Sequence, residues 1–339
     1  MKRSQRQIFP FALFILLLLW GCQKLKPEAR GGDNELVVVV DPENVSAITK
    51  VIASIFTDTL YTPQPEPYYR IQYVEPGDFD DIKQSVNVIV GALGTNLESD
   101  GVKLMRQLLN KKQYASSIEG NNHLIFARNV FARNQNYLLI NGPDLESILQ
   151  HVTEEGPWLK HQFDALFTER QSKYLFESAR QKDLEKELAQ KYGWSLNIPW
   201  GYTTLRDSAE QGLFWIGREI PYRWLVIHWE TGLVFSDSAS VRKYAYSFLP
   251  DYLGNIRYTD YRFSMEPTDF NDWAAWKITG LWEHLDEAQG GPSIGYLFYD
   301  EKTDQTFFIF TMIFYPGKEK YILLRQVDII AHSFRIVSN

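Results

Sequence analysis

Leu36-Val-Val-Val-Val40 is a continuous, mostly β-branched run with no polar residue to turn toward water. A strand of this kind needs apolar cover on both faces, so it belongs in the interior of a sheet flanked by helices and not at an edge. Working outward, Asp41-Pro-Glu-Asn44 supplies a turn and a helix start, and Val45 to Leu60 carries apolar residues at helical spacing. Thr62-Pro-Gln-Pro-Glu-Pro67 breaks the chain in an extended segment. Arg70 to Glu75 alternates like a strand, Asp78 to Lys83 reads as a short helix, and Val86 to Leu93 is a second buried strand. Leu97 to Asn110 is amphipathic, and His123 to Ala127 and Tyr137 to Asn141 add two strands.

From Pro143 to Tyr192 the pattern is helical, with an expected break at Gly156-Pro157 and a stop at Gly193. The second half has another character. Tyr202 to Arg206, Leu213 to Glu219 and Arg223 to Glu230 read as antiparallel strands joined by tight turns, and a helix follows at Ser238 to Tyr252. Further strands are expected near Tyr258–Met265, Ala274–His284, Pro292–Tyr299 and Thr306–Tyr315, then a terminal helix from Lys318 to about Ile336. The fold class is α+β, with two lobes, each a mixed or antiparallel sheet packed with helices, joined by a long helical segment. The expected boundaries are an N-terminal α/β lobe at 35–192 and an aromatic-rich C-terminal α+β lobe at 193–339.

The start of the chain reads as an address. Lys2, Arg3 and Arg6 precede an apolar run from Ile8 to Trp20 that is too short to span a bilayer, and Leu19-Trp20-Gly21-Cys22 closes it. Residues 1–21 are thus a lipoprotein signal peptide, and Cys22 is the expected site of lipidation and the membrane attachment. Residues 22–34, polar with Pro and Gly, read as a tether. Cys22 is the single cysteine in 339 residues, which suits an oxidising envelope compartment and excludes an internal disulfide or a thiolate nucleophile in the body. The expected location is the cell envelope, lipid-anchored at the outer membrane and facing the periplasm.

A net charge of −7 argues against nucleic acid as a partner. No Walker loop, dinucleotide glycine fingerprint, Gly-x-Ser-x-Gly elbow or EF-hand loop occurs, and no cofactor is expected. His284 with Asp286 and Glu287 is the nearest approach to a metal-ligand cluster, and a solvated loop explains it equally well, so no metal site is assigned. Adjacent acids such as Asp80-Asp81 and Glu154-Glu155 have the chemistry for glycoside hydrolysis, and also the pattern of solvated helix surface.

The aromatic series is the remaining signal. Trp224, Val226 and His228 alternate with Leu225, Ile227 and Trp229 on one strand, so aromatics occupy both of its faces and most are core. Trp282, close to the Gly290-Gly291-Pro292 turn, is the best candidate for an exposed binding ring, with Glu283 beside it. Arg218 and Glu219, just before Ile220-Pro221, form a second candidate pair, equally readable as an ordinary ion pair at a hairpin.

Several segments together resemble an uncharacterised family of Bacteroidota lipoproteins, domain of unknown function 4837. They are the lipobox at Cys22, the valine strand at 36–40, Pro63-Gln-Pro-Glu66, the passage from Tyr192-Gly193 to Pro199-Gly201, Trp215 to Glu219, and Gly280-Leu-Trp282 followed by Gly290-Gly-Pro292. The resemblance covers nearly the whole chain after Cys22. Glu283 and Gln289 stand where the family's pattern has Arg and Met. The resemblance implies an envelope lipoprotein and no known activity. The expected role is a non-catalytic binding or assembly module for an envelope protein or glycan partner; the alternative is a hydrolase of envelope polymers using dispersed carboxylates.

Overall fold

The computed structural model describes residues 26–62, 64–120 and 122–337. The expected signal peptide at 1–21 and the expected lipidation site, Cys22, lie outside the described residues. Contacts divide the chain into two units: the chain through Ile48 with Gln72–Ile148, and Thr49–Ile71 with Leu149–Asn339. This differs from the expected boundary at 192/193. The long helical stretch after Leu149 belongs to the second unit, as does the proline-rich excursion at 49–71.

The first unit holds a five-stranded sheet formed by β1 (Glu35–Val39), β2 (Arg70–Val74), β3 (Asn87–Leu93), β4 (Leu124–Arg128) and β5 (Asn136–Gly142), in the order β2-β1-β3-β5-β4. β1–β3 and β3–β5 are parallel, and β4 runs antiparallel to β5. The valine strand is therefore interior, as its composition demands. Leu36 and Val38 on one face and Val39 on the other are fully buried, and burial of each such side chain contributes about 1.5–3 kcal/mol. Helix α1 (Val45–Ile55) passes into the second unit after Ile48, and helices α2 (Phe79–Ile82), α3 (Asp100–Leu108) and α4 (Lys111–Glu119) complete the first unit's elements. Val102 and Met105 of α3 and Phe79 pack on the face of Val39, Val88 and Val90. Asp41 precedes the helical turn Pro42–Asn44 that leads into Val45, as expected for a helix start, and its carboxylate also accepts from Gly101 N at 2.9 Å in the first turn of α3.

Residues 27–34, expected as tether, are packed: Ala29 N donates to the Arg133 carbonyl and Arg30 N to that of Gln84, each at 3.0 Å, and Asn34 is buried. Ordered structure thus starts well before Glu35.

The second unit is built on an eight-stranded antiparallel sheet. Its strands are β6 (Thr203–Ser208), β7 (Leu213–Arg218), β8 (Tyr222–Thr231), β9 (Ile256–Tyr258), β10 (Ser264–Phe270), β11 (Trp273–His284), β12 (Gly290–Asp300) and β13 (Gln305–Phe314). The order is β9-β11-β12-β13-β8-β7-β6, with β10 also paired to β11. The period of two sorts the core: Leu225, Ile227, Phe307 and Ile309 face one way, Val226, Phe308, Phe310 and Met312 the other. Helix α5 is Leu145–Phe176, α6 Lys182–Tyr192, α7 Ser238–Leu253 and α8 Tyr321–Ala331. α8 covers the first face and α7 the second. Two expectations fail here. α5 runs unbroken through Gly156-Pro157, and the terminal helix stops at Ala331, after which Arg335–Ile336 pairs with Trp194–Ser195. Gly193 does end α6, in the left-handed conformation. Among the described residues no helix is long and apolar enough to cross a membrane.

Candidate functional site

Within the second unit, the C-terminal ends of β11 and β13 and the N-terminal end of β12 lie side by side, and a cavity of about 480 Å³ opens there. Leu281, Trp282, Glu283, Gly290, Gly291 and Phe314 line its sheet side, with Thr62, Gln64 and Lys320 on another wall. The register places two glycines at its edge. Trp282 stands opposite Gly291 and Glu283 opposite Gly290, so two cross-strand positions carry no side chain. Neither glycine tolerates a substituent. A Cβ on Gly291 would sit 2.0 Å from the Ile313 carbonyl oxygen, and one on Gly290 would sit 2.7 Å from that of Trp282.

Trp282 corrects the sequence reading: it is 1% exposed, a wall of the cavity and not a surface platform. Its indole N–H donates to the Ile313 carbonyl at 3.2 Å, and the ring meets Trp224 edge-on at 5.8 Å. Glu283 is held by Arg257, whose Nε donates to Oε1 at 2.7 Å in a half-exposed pair. Pro292 turns away from this cavity and lines a smaller space of about 160 Å³ with Tyr61, Arg262 and Lys277.

Lys320 is fixed by a carboxylate that sequence reasoning did not single out. Glu66 accepts from Lys320 Nζ at 3.0 Å and from the backbone N–H groups of Lys320 and Tyr321, capping α8 while pairing with the ammonium. Both side chains are nearly buried. The apolar lining with a few fixed polar groups at its margin is that of a site that binds and orients, with no nucleophile and base placed together.

A second cluster, absent from the sequence reading, surrounds a cavity of about 450 Å³ lined by Thr168, Ser172, Arg325, Asp328 and His332 among others. Asp328 accepts from the Tyr296 hydroxyl at 2.7 Å, and its carboxylate lies 3.4 Å from His332 Nδ1. Burial alone would raise the Asp328 carboxyl; His332, Tyr296 and Arg325 hold it below the ordinary range. Burial would likewise lower His332, and Asp328 raises it above its usual value. Arg325 donates to the Tyr321 hydroxyl at 2.9 Å and Thr168 Oγ1 at 3.1 Å, and lies 3.5 Å from Asp164. Ser333 is spent on capping: it donates to the Ile330 carbonyl and accepts from Asn197 N. The network pins α5, α8 and β12 together, and its charges balance internally. No signal in the sequence linked Asp164, Tyr296 and Asp328, which lie far apart along the chain.

The remaining sequence candidates fall elsewhere. Arg218 and Glu219 do not form an ion pair; the Arg218 guanidinium lies 5.8 Å from the Trp200 ring centroid, and Glu219 is exposed in the hairpin turn. His284 Nδ1 accepts from the backbone N–H groups of Asp286 and Glu287, each at 3.1 Å, which makes His284-Leu-Asp-Glu287 a loop-forming motif. Among the described residues no three His, Cys, Asp or Glu side chains are grouped to hold a metal ion.

Residues 29–175 match the family described as domain of unknown function 8532, and residues 181–333 match domain of unknown function 4837. The second match is confined to the C-terminal half, where the sequence reading extended it over nearly the whole chain. No curated protein is similar to the chain. Among solved structures, the Ran-binding protein Mog1p of Saccharomyces cerevisiae is similar at 12% identity over 43% of this chain and 91% of that one, with a TM-score of 0.32. LpqN of Mycobacterium tuberculosis, described as involved in cell envelope biogenesis, is similar at 16% identity over 43% and 83%, with a TM-score of 0.30. Likenesses this distant carry no argument about function. Each family match spans less than half of the chain, a region similar to domain of unknown function 8532 being followed by one similar to domain of unknown function 4837.

Proposed function

We propose that this protein is an envelope lipoprotein, anchored through Cys22 at the outer membrane and facing the periplasm, and that it serves as a non-catalytic binding module for an envelope protein or glycan. The observation that carries the binding reading is the apolar cavity walled by Trp282, Glu283, Gly290 and Gly291, whose polar groups are already paired and so orient a ligand without attacking it. The anchor rests on the basic start, the short apolar run and the single cysteine.

Two experiments test the reading. A Cys22→Ser variant compared with wild type should lose both membrane fractionation and fatty-acid label; retention of both would remove the anchor. Soluble peptidoglycan fragments titrated calorimetrically should bind without being cleaved, and Ala288→Trp, which fills the cavity from its exposed loop, should abolish the heat. Fragment shortening that disappears with one Asp or Glu substitution would instead establish the hydrolase.

A further inference from the structure

Arg218 on β7 and Arg223 on β8 are cross-strand partners, so their side chains leave the same face of the sheet beside each other. Like charges so placed repel, and here nothing neutralises them. Arg223 is 5% exposed, and its Nη1 donates to a neutral acceptor, Gln326 Oε1, at 2.7 Å. Among the described residues neither guanidinium has a carboxylate within ion-pair distance. Other enclosed cations of this unit have a carboxylate: Lys320 has Glu66, Arg325 has Asp164 and Arg180 has Glu185. Burial and the charge of Arg218 both lower the pKa of Arg223, so the protein holds this cation at a cost.

Two further atoms at this place are unspent. Arg223 Nε and the Tyr202 hydroxyl are buried without a hydrogen-bond partner, and both side chains are more than nine-tenths buried. Next to them stands an aromatic ring with no cover. Trp200 is 68% exposed, and the Arg218 guanidinium lies near its face. The loop that carries the ring is rigidly held: Gln181 Nε2 donates to the carbonyls of Pro199 and Tyr202, and Trp200 N donates to that of Ala179. Gly201, at φ +85°, keeps the loop close, since a Cβ there would lie 3.3 Å from Arg218 Nε.

Paired arginine forks without counter-ions match the two oxygens of a carboxylate or a phosphate, and a fixed, exposed indole beside them matches the apolar face of a sugar ring. We propose that Arg218 and Arg223 form an oxyanion-binding site, with Trp200 as its platform, that takes the carboxylate of an acidic saccharide. This extends the glycan reading above to a second site with its own residues, and the variants below leave the Trp282 cavity untouched.

The test uses tryptophan fluorescence of the protein titrated with D-glucuronate, D-glucose and inorganic phosphate. D-glucuronate should quench with millimolar affinity, D-glucose should not at the same concentrations, and phosphate should bind without the ring-dependent quench. The quench should vanish in Trp200→Phe. Binding should weaken about tenfold or more in Arg218→Gln and in Arg223→Met, while Ala288→Trp binds as wild type. Arg223→Met should keep or raise the melting temperature, because it removes an uncompensated buried charge. If Arg223→Met fails to fold, Arg218→Gln alone decides, since that side chain is only half-buried. No response to glucuronate, or an equal one in the two arginine variants, overturns the site; equal quenching by phosphate and glucuronate overturns the saccharide assignment.

Discussion

One buried histidine makes a distinct contribution to the acid lability of this protein. His228 lies in β8, 1% exposed, against α7; its Nδ1 shares a hydrogen bond with the Tyr244 hydroxyl at 2.7 Å, and the tilted rings of Tyr252 and Phe248 pack against it with centroids at 4.3 and 5.5 Å. Burial lowers its pKa from the ordinary 6.5 to about 4, only partly opposed by the Gln211 backbone. Between those values the unfolded chain takes up a proton that the folded chain refuses, so stability rises with pH across this window and is lost as pH falls from 6.5 toward 4. At about 1.4 kcal/mol per unit, the loss approaches roughly 3 kcal/mol, a large part of the 5–15 kcal/mol typical of a domain. The assay is urea unfolding of wild type and His228→Phe at pH 7.5, 5.5 and 4. Other titrating groups cancel in the comparison, so wild type should lose about 3 kcal/mol more than the variant over that range. Parallel pH profiles for the two proteins, or an imidazole that titrates near 6.5 by NMR, would refute the reasoning.

His332 has the opposite sign: Asp328 raises its pKa, so the stability it contributes is complete below about 6.5 and disappears as pH rises through the folded value. His332→Asn should therefore flatten the profile on the neutral side, and a variant that changes only the acid limb would contradict this. Gly291→Ala drives a methyl into the Ile313 carbonyl, and melting should show a loss of about 1–3 kcal/mol or more; an unchanged melting temperature would show that the β12–β13 ladder shifts freely. Glu66→Ala leaves the Lys320 ammonium nearly buried and α8 uncapped, which should cost about 3–5 kcal/mol in chemical denaturation, whereas a loss under 1 kcal/mol would mean that water replaces the carboxylate.

The sheets were legible because their sequence is lopsided. An all-apolar Leu36–Val40 admits one placement, and the alternation at Trp224–Trp229 assigns each residue to the face it occupies. Local rules failed where tertiary packing outweighed them. An interior proline costs a helix about 3 kcal/mol, but α5 buries Val152, Leu159, Phe163, Leu166 and Phe167 on either side of Pro157, and that burial offsets the loss. A cavity lies beside Trp282, Glu283, Gly290 and Gly291, but the local reading of this stretch was mistaken. Gly290-Gly-Pro292 reads as a turn, whereas it begins a strand, so Trp282 lies inside a paired segment and is covered. Arg223 carries no sequence signal at all, because a lone arginine in an apolar strand does not show that its partner across the hairpin is Arg218.

The glycines of the second unit show how so aromatic a sheet can close. Trp282 faces Gly291 across β11–β12, and Trp224 faces Gly217 across β7–β8, where a Cβ would meet the indole at 2.5 Å. A third glycine, Gly280, lies under Tyr258 and Phe263 at 3.1 and 3.3 Å from its missing Cβ. At Gly217 and Gly280 the empty position admits a ring against the strand, and at Gly291 it admits the Ile313 carbonyl. The Trp224 and Trp282 rings then meet edge-on and join the core beneath α7. Glycine weakens a strand by itself, and the buried rings more than repay that loss through area and edge-to-face contact. At the interior of the sheet the space so made is filled by indole. At the strand ends, where β11, β12 and β13 run out, Gly290 and Gly291 let the Trp282 and Ile313 carbonyls come close, and the rings there leave a cavity beside them.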